Sequence, residues 1–124
     1  MTAMRRTSLA LVASLVAIGL LAAPSGAGMT YGTHLYMSKR FPGFHGKIHS
    51  SNAFCVAHRK VKVYKVRSGP DKLLGAGHSK NDGHWKVIIK NLSSGAFYSR
   101  APLYGSASLG ITCRADRSRL AVAD

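Results

Sequence analysis

Glutamate is missing from this chain, and its acids are four aspartates, Asp71, Asp82, Asp116 and Asp124. Only these four are available to orient a catalytic histidine, and no nucleophile-elbow motif accompanies them, which argues against a Ser/His/Asp hydrolase. Cysteine occurs twice, at Cys55 and Cys113, without a CxxC spacing, so a thioredoxin-like redox motif is excluded. Tryptophan occurs once, at Trp85. No stretch after residue 27 keeps a helical apolar period for three turns, and none there approaches the ~20 apolar residues that span a bilayer. A stripe of free aromatics suited to stacking bases is also absent, which argues against a nucleic-acid reader.

What the chain does contain begins with a leader. Arg5 and Arg6 precede the uncharged run Leu9 to Ala23, which is long for a signal-peptide core and short for a spanning helix. Small residues at Ser25 and Ala27 place cleavage after Ala27, with Ala23 as the second choice and an uncleaved anchor as the alternative. Residues 1–27 are thus expected to be a signal peptide and the remainder an extracytoplasmic product without a transmembrane segment. From Gly28 that product has about 97 residues, enough for one small core.

The most structured stretch runs from Ser79 to Tyr98. Asn81-Asp82-Gly83 has the residues of a tight hairpin turn. After it Trp85, Val87 and Ile89 alternate with His84, Lys86, Ile88 and Lys90, the period of a half-buried strand. Ser93-Ser94-Gly95 turns again, and Phe97 to Leu103 resumes an extended run.

Upstream, residues 28–43 show no sustained period and read as a flexible arm. Phe44 to Ser50 reads as a first strand and Cys55 to Arg67 as a longer one, with Val61 and Val63 against Lys60 and Lys62. A change of apolar face at Tyr64 and Val66 predicts a bulge or a change of sheet. Lys72 to Ser79 is a weaker strand with Gly75 and Gly77. Tyr104 to Gly110 reads as a loop, Ile111 to Ala115 as a strand, Asp116 to Ser118 as a turn, and Leu120 to Val122 as a last half-strand. About seven short strands with regular turns make residues 44–124 an all-β domain, a β-sandwich.

Export gives the two cysteines a meaning. An even count in an oxidising compartment predicts a Cys55–Cys113 disulfide, worth roughly 4 kcal/mol by loop entropy. A pair of buried thiols is the alternative.

Charge is the other strong signal. There are 18 Lys and Arg against four acids. With Arg5 and Arg6 in the leader, sixteen cations face four acids, a net +12 on the mature domain. Such a balance attracts polyanions: wall polymers, acidic polysaccharide, lipid headgroups or nucleic acid. Arg59, Lys60, Lys62, Lys86 and Lys90 are the expected polyanion-binding residues, drawn from the densest basic group and from strand positions that alternate with apolar ones. A merely solubilising, scattered charge is the alternative. Of the six histidines, His78 and His84 flank the Asn81–Gly83 turn and could approach across it, but a metal there would need further ligands, and neither a metal nor another cofactor is expected.

Several turn positions together resemble a known group. They are Gly46-Lys47-Ile48, the strand Val61-Lys62-Val63-Tyr64, the Ser79, Gly83 and Trp85 turn and strand, the Leu92 to Gly95 turn, and Phe97-Tyr98. The pattern resembles the transthyretin-like superfamily, including carboxypeptidase regulatory-like domains and the B-type repeats of collagen adhesins. The resemblance implies a Greek-key sandwich over roughly Phe44 to Val122. Adhesin repeats often carry a Lys–Asn isopeptide bond assisted by a buried acid. Lys47 matches the first-strand lysine, but the chain lacks Glu, and Ile111 to Asp124 lacks Asn. The hydroxyisourate hydrolases of the superfamily end in Tyr-Arg-Gly-Ser, whereas Tyr104-Gly105-Ser106 lacks the arginine and lies well before the C-terminus.

These readings converge on a secreted, non-enzymatic structural or adhesive domain that binds anionic polymer at the cell surface. A small secreted hydrolase with a His-containing site is the alternative.

Overall fold

The computed structural model describes residues 28–123. The expected signal peptide, residues 1–27, lies outside the described residues, as does Asp124. Among the described residues the fold is all-β, with one short 3-10 turn at Ala53–Cys55, and no helix is long and apolar enough to cross a membrane.

Six strands of five residues or more carry the architecture. They are β2 (His34–Arg40), β3 (Gly43–His49), β4 (Lys60–Lys65), β5 (Lys72–His78), β6 (His84–Ile88) and β7 (Gly95–Ala101). Five shorter ones complete it: β1 (Met29–Tyr31), β8 (Tyr104–Ser106), β9 (Ile111–Cys113), β10 (Asp116–Arg117) and β11 (Ala121–Ala123). One sheet has the order β2-β3-β6. A second runs β10-β7-β4-β5, with β11 also on β7, and a small third sheet has the order β1-β9-β8. Of the four strands beyond the expected seven, β1, β8 and β10 are two or three residues long, too short to display alternation in the sequence, and the fourth is the seven-residue β2.

The two larger sheets enclose the core. Leu35, Phe44, Ile48, Trp85 and Val87 come from the first, and Val61, Val63, Phe97, Ala101 and Ala123 from the second. Phe44 and Phe97 meet across the interface with ring centroids 5.2 Å apart. The sheets also join at one side, where the Leu35 amide donates to Asp116 Oδ2 at 2.7 Å. This is the period-two logic of a sandwich: alternate residues of each strand fill the space between sheets and the others face outward.

Several expectations are corrected here. Residues 28–43, expected as a flexible arm, instead form β1 and β2. In β2 buried Leu35 and half-buried Met37 alternate with exposed Tyr36 and Ser38, and β3 pairs along its whole length. Tyr104 to Gly110 begins with a strand, and Asp116-Arg117 pairs with β7 rather than only turning. The long strand starts at Lys60, because Asn52 Oδ1 accepts from the Phe54 amide at 2.8 Å and caps the turn at Ala53–Cys55.

The turn at Asn81–Gly83 is present, with Gly83 at φ +92°, but it is not a hairpin between paired strands. It carries the chain from β5 in one sheet to β6 in the other. Gly77 permits this crossing, since a Cβ there would sit 2.9 Å from the Lys86 carbonyl. The irregularity expected near Tyr64 is a register shift between Val63 and Tyr64. Val63 faces Gly75 and Tyr64 faces Leu73, leaving Leu74 as the extra residue on β5.

Cys55 and Cys113 form a disulfide, with Cα atoms 5.4 Å apart across 58 residues of sequence. It fastens the short turn before β4 to β9 of the small sheet.

Candidate anion-binding surfaces

The described acids are all engaged locally. Asp71 Oδ2 accepts from the Tyr98 hydroxyl at 2.6 Å, and its Oδ1 from the Arg67 amide at 3.3 Å. Asp82 Oδ1 accepts from the His84 amide at 3.0 Å, while Oδ2 lies 2.8 Å from His84 Nδ1. Asp116 accepts from Leu35 across the sheets. Among the described residues that His84 contact is the one carboxylate ion pair, and no Lys or Arg has a carboxylate partner within 4.0 Å.

Arg59 is not a surface cation, which corrects the sequence reading. It is fully buried. Its guanidinium donates to Thr33 Oγ1 at 3.0 Å and to the carbonyls of Cys55 at 2.9 Å, Pro102 at 3.0 Å and Arg114 at 3.1 Å. The Tyr104 ring lies 5.7 Å away. Burial lowers its pKa from the ordinary value. The charge is met by carbonyl dipoles rather than by an anion, so Arg59 is a structural residue. Its neighbours in the sequence suggested a basic run, but Arg59 shares the parity of buried Val61 and Val63, and the alternation of β4 carried back one residue turns it inward.

The remaining four residues do not share one face. Val61 and Val63 point into the core from β4, as Trp85 and Val87 do from β6. Lys60 and Lys62 therefore lie on the outside of the five-stranded sheet. Lys86 lies on the outside of the three-stranded sheet, and exposed Lys90 follows β6.

Lys86 belongs to a cleft of about 510 Å³ lined also by Arg40, His45, His78, Lys80 and His84. Phe41, 89% exposed, is part of its wall. No family model, curated protein or solved structure matches this chain. Among the described residues no group of three or more His, Cys, Asp or Glu side chains is placed to hold a metal.

Lys62 belongs to a different group, which the sequence reading missed. In register across the five-stranded sheet, Arg117 on β10 faces Arg100 on β7, and Arg100 faces Lys62 on β4. Tyr98 faces Tyr64 one row on, their rings stacked at 5.3 Å. The Arg117 guanidinium lies 3.7 Å from the Tyr98 ring centroid, a cation–π contact. Arg100 was legible in principle, two residues beyond Tyr98 and hence on its face. Arg117 was not, because its two-residue strand reads as a turn.

Proposed function

We propose that this protein is an exported, non-enzymatic β-sandwich domain that serves as a structural or adhesive module by binding anionic polymer at the cell surface. The observation that carries this reading is the fate of the charges. Fifteen of the sixteen cations from residue 28 onward are exposed or half-buried, while the described acids are spent on turns, on Tyr98 and on the Leu35 amide. A positive field with so little internal compensation is available to an external polyanion. The disulfide supports export, since such bonds persist in oxidising compartments. The Arg5-Arg6 leader supports it as well.

The same proposal includes kinship with the transthyretin-like superfamily and its Greek-key arrangement of about seven main strands. The six long strands in two facing sheets are what supports it. The test is chromatography of exported protein on heparin or teichoic-acid resin. Retention that is lost by about 1 M salt, where the Debye length is ~3 Å, is the expected result. Absence of retention at low salt, or retention indifferent to 1 M salt, overturns the reading. Mass spectrometry of the same material should show an N-terminus between Pro24 and Gly28, and an intact Met1 would remove the export claim.

A further inference from the structure

We propose that the outer face of the five-stranded sheet is a docking surface for an anionic lipid membrane. The inference rests on the anion-binding reading but assigns it a place and a second, apolar component.

The face is ordered in rows. Arg117, Arg100 and Lys62 form the first, in register on three adjacent strands. Strands ~4.8 Å apart set these three cations across about 10 Å. Like charges directly opposite one another destabilise a sheet, and here three occur in succession. Among the described residues no carboxylate lies within 4.0 Å of any of the three: Asp116 is turned to the Leu35 amide, and Asp71, bonded to the Tyr98 hydroxyl at the next row, offsets Arg117 only from beyond that distance.

The next rows are mainly apolar, with the Asp71 carboxylate bonded to the Tyr98 hydroxyl beside them. Tyr98, Tyr64 and Leu73 are in register, and beyond them Val122 faces Ala96, whose carbonyl accepts from the Val66 amide. Leu73 is 50% exposed, Val122 70% and Val66 38%. Such side chains are ordinary singly, but adjacent ones spread over four strands beside a cationic row make a continuous two-part surface.

That combination discriminates between occupants. A soluble polyanion would use the cations and leave Leu73 and Val122 in water. A single-stranded nucleic acid would need open ring faces, whereas Tyr98 is buried between Tyr64 and Arg117. A bilayer with anionic headgroups answers both parts: phosphates meet the arginine row, and the exposed aliphatic side chains, with half-buried Tyr64 beside them, rest in the interface. The other basic surface, around Lys86, offers a cleft rather than a flat face.

The experiment compares exported wild-type protein with Arg100→Gln/Arg117→Gln and Leu73→Ser/Val122→Ser. Each is tested for co-sedimentation with phosphatidylcholine vesicles, with vesicles that also contain phosphatidylglycerol, and for retention on heparin. All are surface changes, and near-ultraviolet circular dichroism around Trp85 checks that each variant is folded. Wild type should sediment with the phosphatidylglycerol vesicles and not with phosphatidylcholine alone. The arginine variant should lose about five-fold in partitioning for each charge removed. The Leu73/Val122 variant should lose roughly three- to ten-fold on vesicles while eluting from heparin at the wild-type salt concentration. Heparin retention without vesicle binding overturns the membrane proposal and leaves the polymer reading standing. Vesicle binding indifferent to Leu73→Ser/Val122→Ser overturns it in favour of attraction by charge alone. Failure on both heparin and vesicles removes both readings.

Discussion

Arg59 holds the backbone of Cys55: its guanidinium donates to the Cys55 carbonyl at 2.9 Å. The same group donates to the carbonyl of Arg114, next in sequence to Cys113, at 3.1 Å. One buried cation thus fastens the chain on both sides of the disulfide, and the covalent and polar links reinforce one junction. The Arg59 amide is itself bound to Ser79 Oγ at 2.8 Å, which ties β4 to the end of β5 at the same place.

Replacing Arg59 should therefore cost more than an ordinary surface arginine. Arg59→Met leaves the buried Cys55 carbonyl and the part-buried Pro102 and Arg114 carbonyls without their donor, and a loss of about 3–5 kcal/mol is expected from urea unfolding. Arg59→Lys keeps the charge but cannot reach four acceptors with one ammonium, so its loss should be intermediate. Its salt elution from heparin should match wild type, since the residue is not on the surface. A shift comparable to that of Arg100→Gln/Arg117→Gln would return Arg59 to the binding surface.

Reduction of the Cys55–Cys113 bond should lower stability by roughly 4 kcal/mol, because it releases a loop of 58 residues in the unfolded chain. Thiol titration of unreduced, denatured protein should find no free sulfhydryl. Two free thiols would contradict the bridge.

Trp85 and Gly46 should be mutually dependent. Trp85 is 3% exposed, and Gly46 is its register partner on β3. A Cβ at Gly46 would fall onto the Tyr36 carbonyl and within 2.9 Å of the Trp85 ring. Gly46→Ala should thus cost about 1–3 kcal/mol through backbone shift and overpacking. Trp85→Ala should cost about 3–5 kcal/mol through the cavity it leaves. Fluorescence checks the geometry: wild-type emission should be that of a buried indole, moving to the red on unfolding.

The Asp71–Tyr98 hydrogen bond should give stability a pH dependence at both ends. The Tyr98 hydroxyl, aided by the Arg67 amide and the Arg117 charge, holds the Asp71 carboxyl below its ordinary value. The same bond, with burial, raises the Tyr98 hydroxyl above its own. A depressed carboxylate contributes stability present above ~3.9 and lost as pH falls through the lower folded value. A raised phenol contributes stability present below ~10 and lost as pH rises through the higher folded value. Asp71→Asn should therefore lower Tm at neutral pH, with the difference from wild type closing in strong acid and again in strong alkali. A difference constant across pH would show that the bond is not the cause.

The sequence by itself determined the strand character of this protein wherever alternation ran long enough to show. Val61 and Val63, and Trp85 and Val87, turn inward as their period requires, because side-chain direction along a strand is a local property. Two cysteines allowed a single intramolecular pairing, and Gly83 marked a turn through the positive φ it adopts. Tertiary structure decided which strands pair. The turn at Gly83 looks alike whether its flanking strands bond to each other or part, and here β5 and β6 part to different sheets because their hydrogen-bonding partners lie elsewhere in the chain. It also decided the candidate site. Arg59 and Lys60 are neighbours in sequence, but one meets the carbonyls of Pro102 and Arg114 and the other meets solvent. Lys62, Arg100 and Arg117 come from distant segments, and only strand pairing sets them in a row. The partners of a buried charge and the clustering of exposed ones depend on groups far apart along the chain, which local periodicity does not encode.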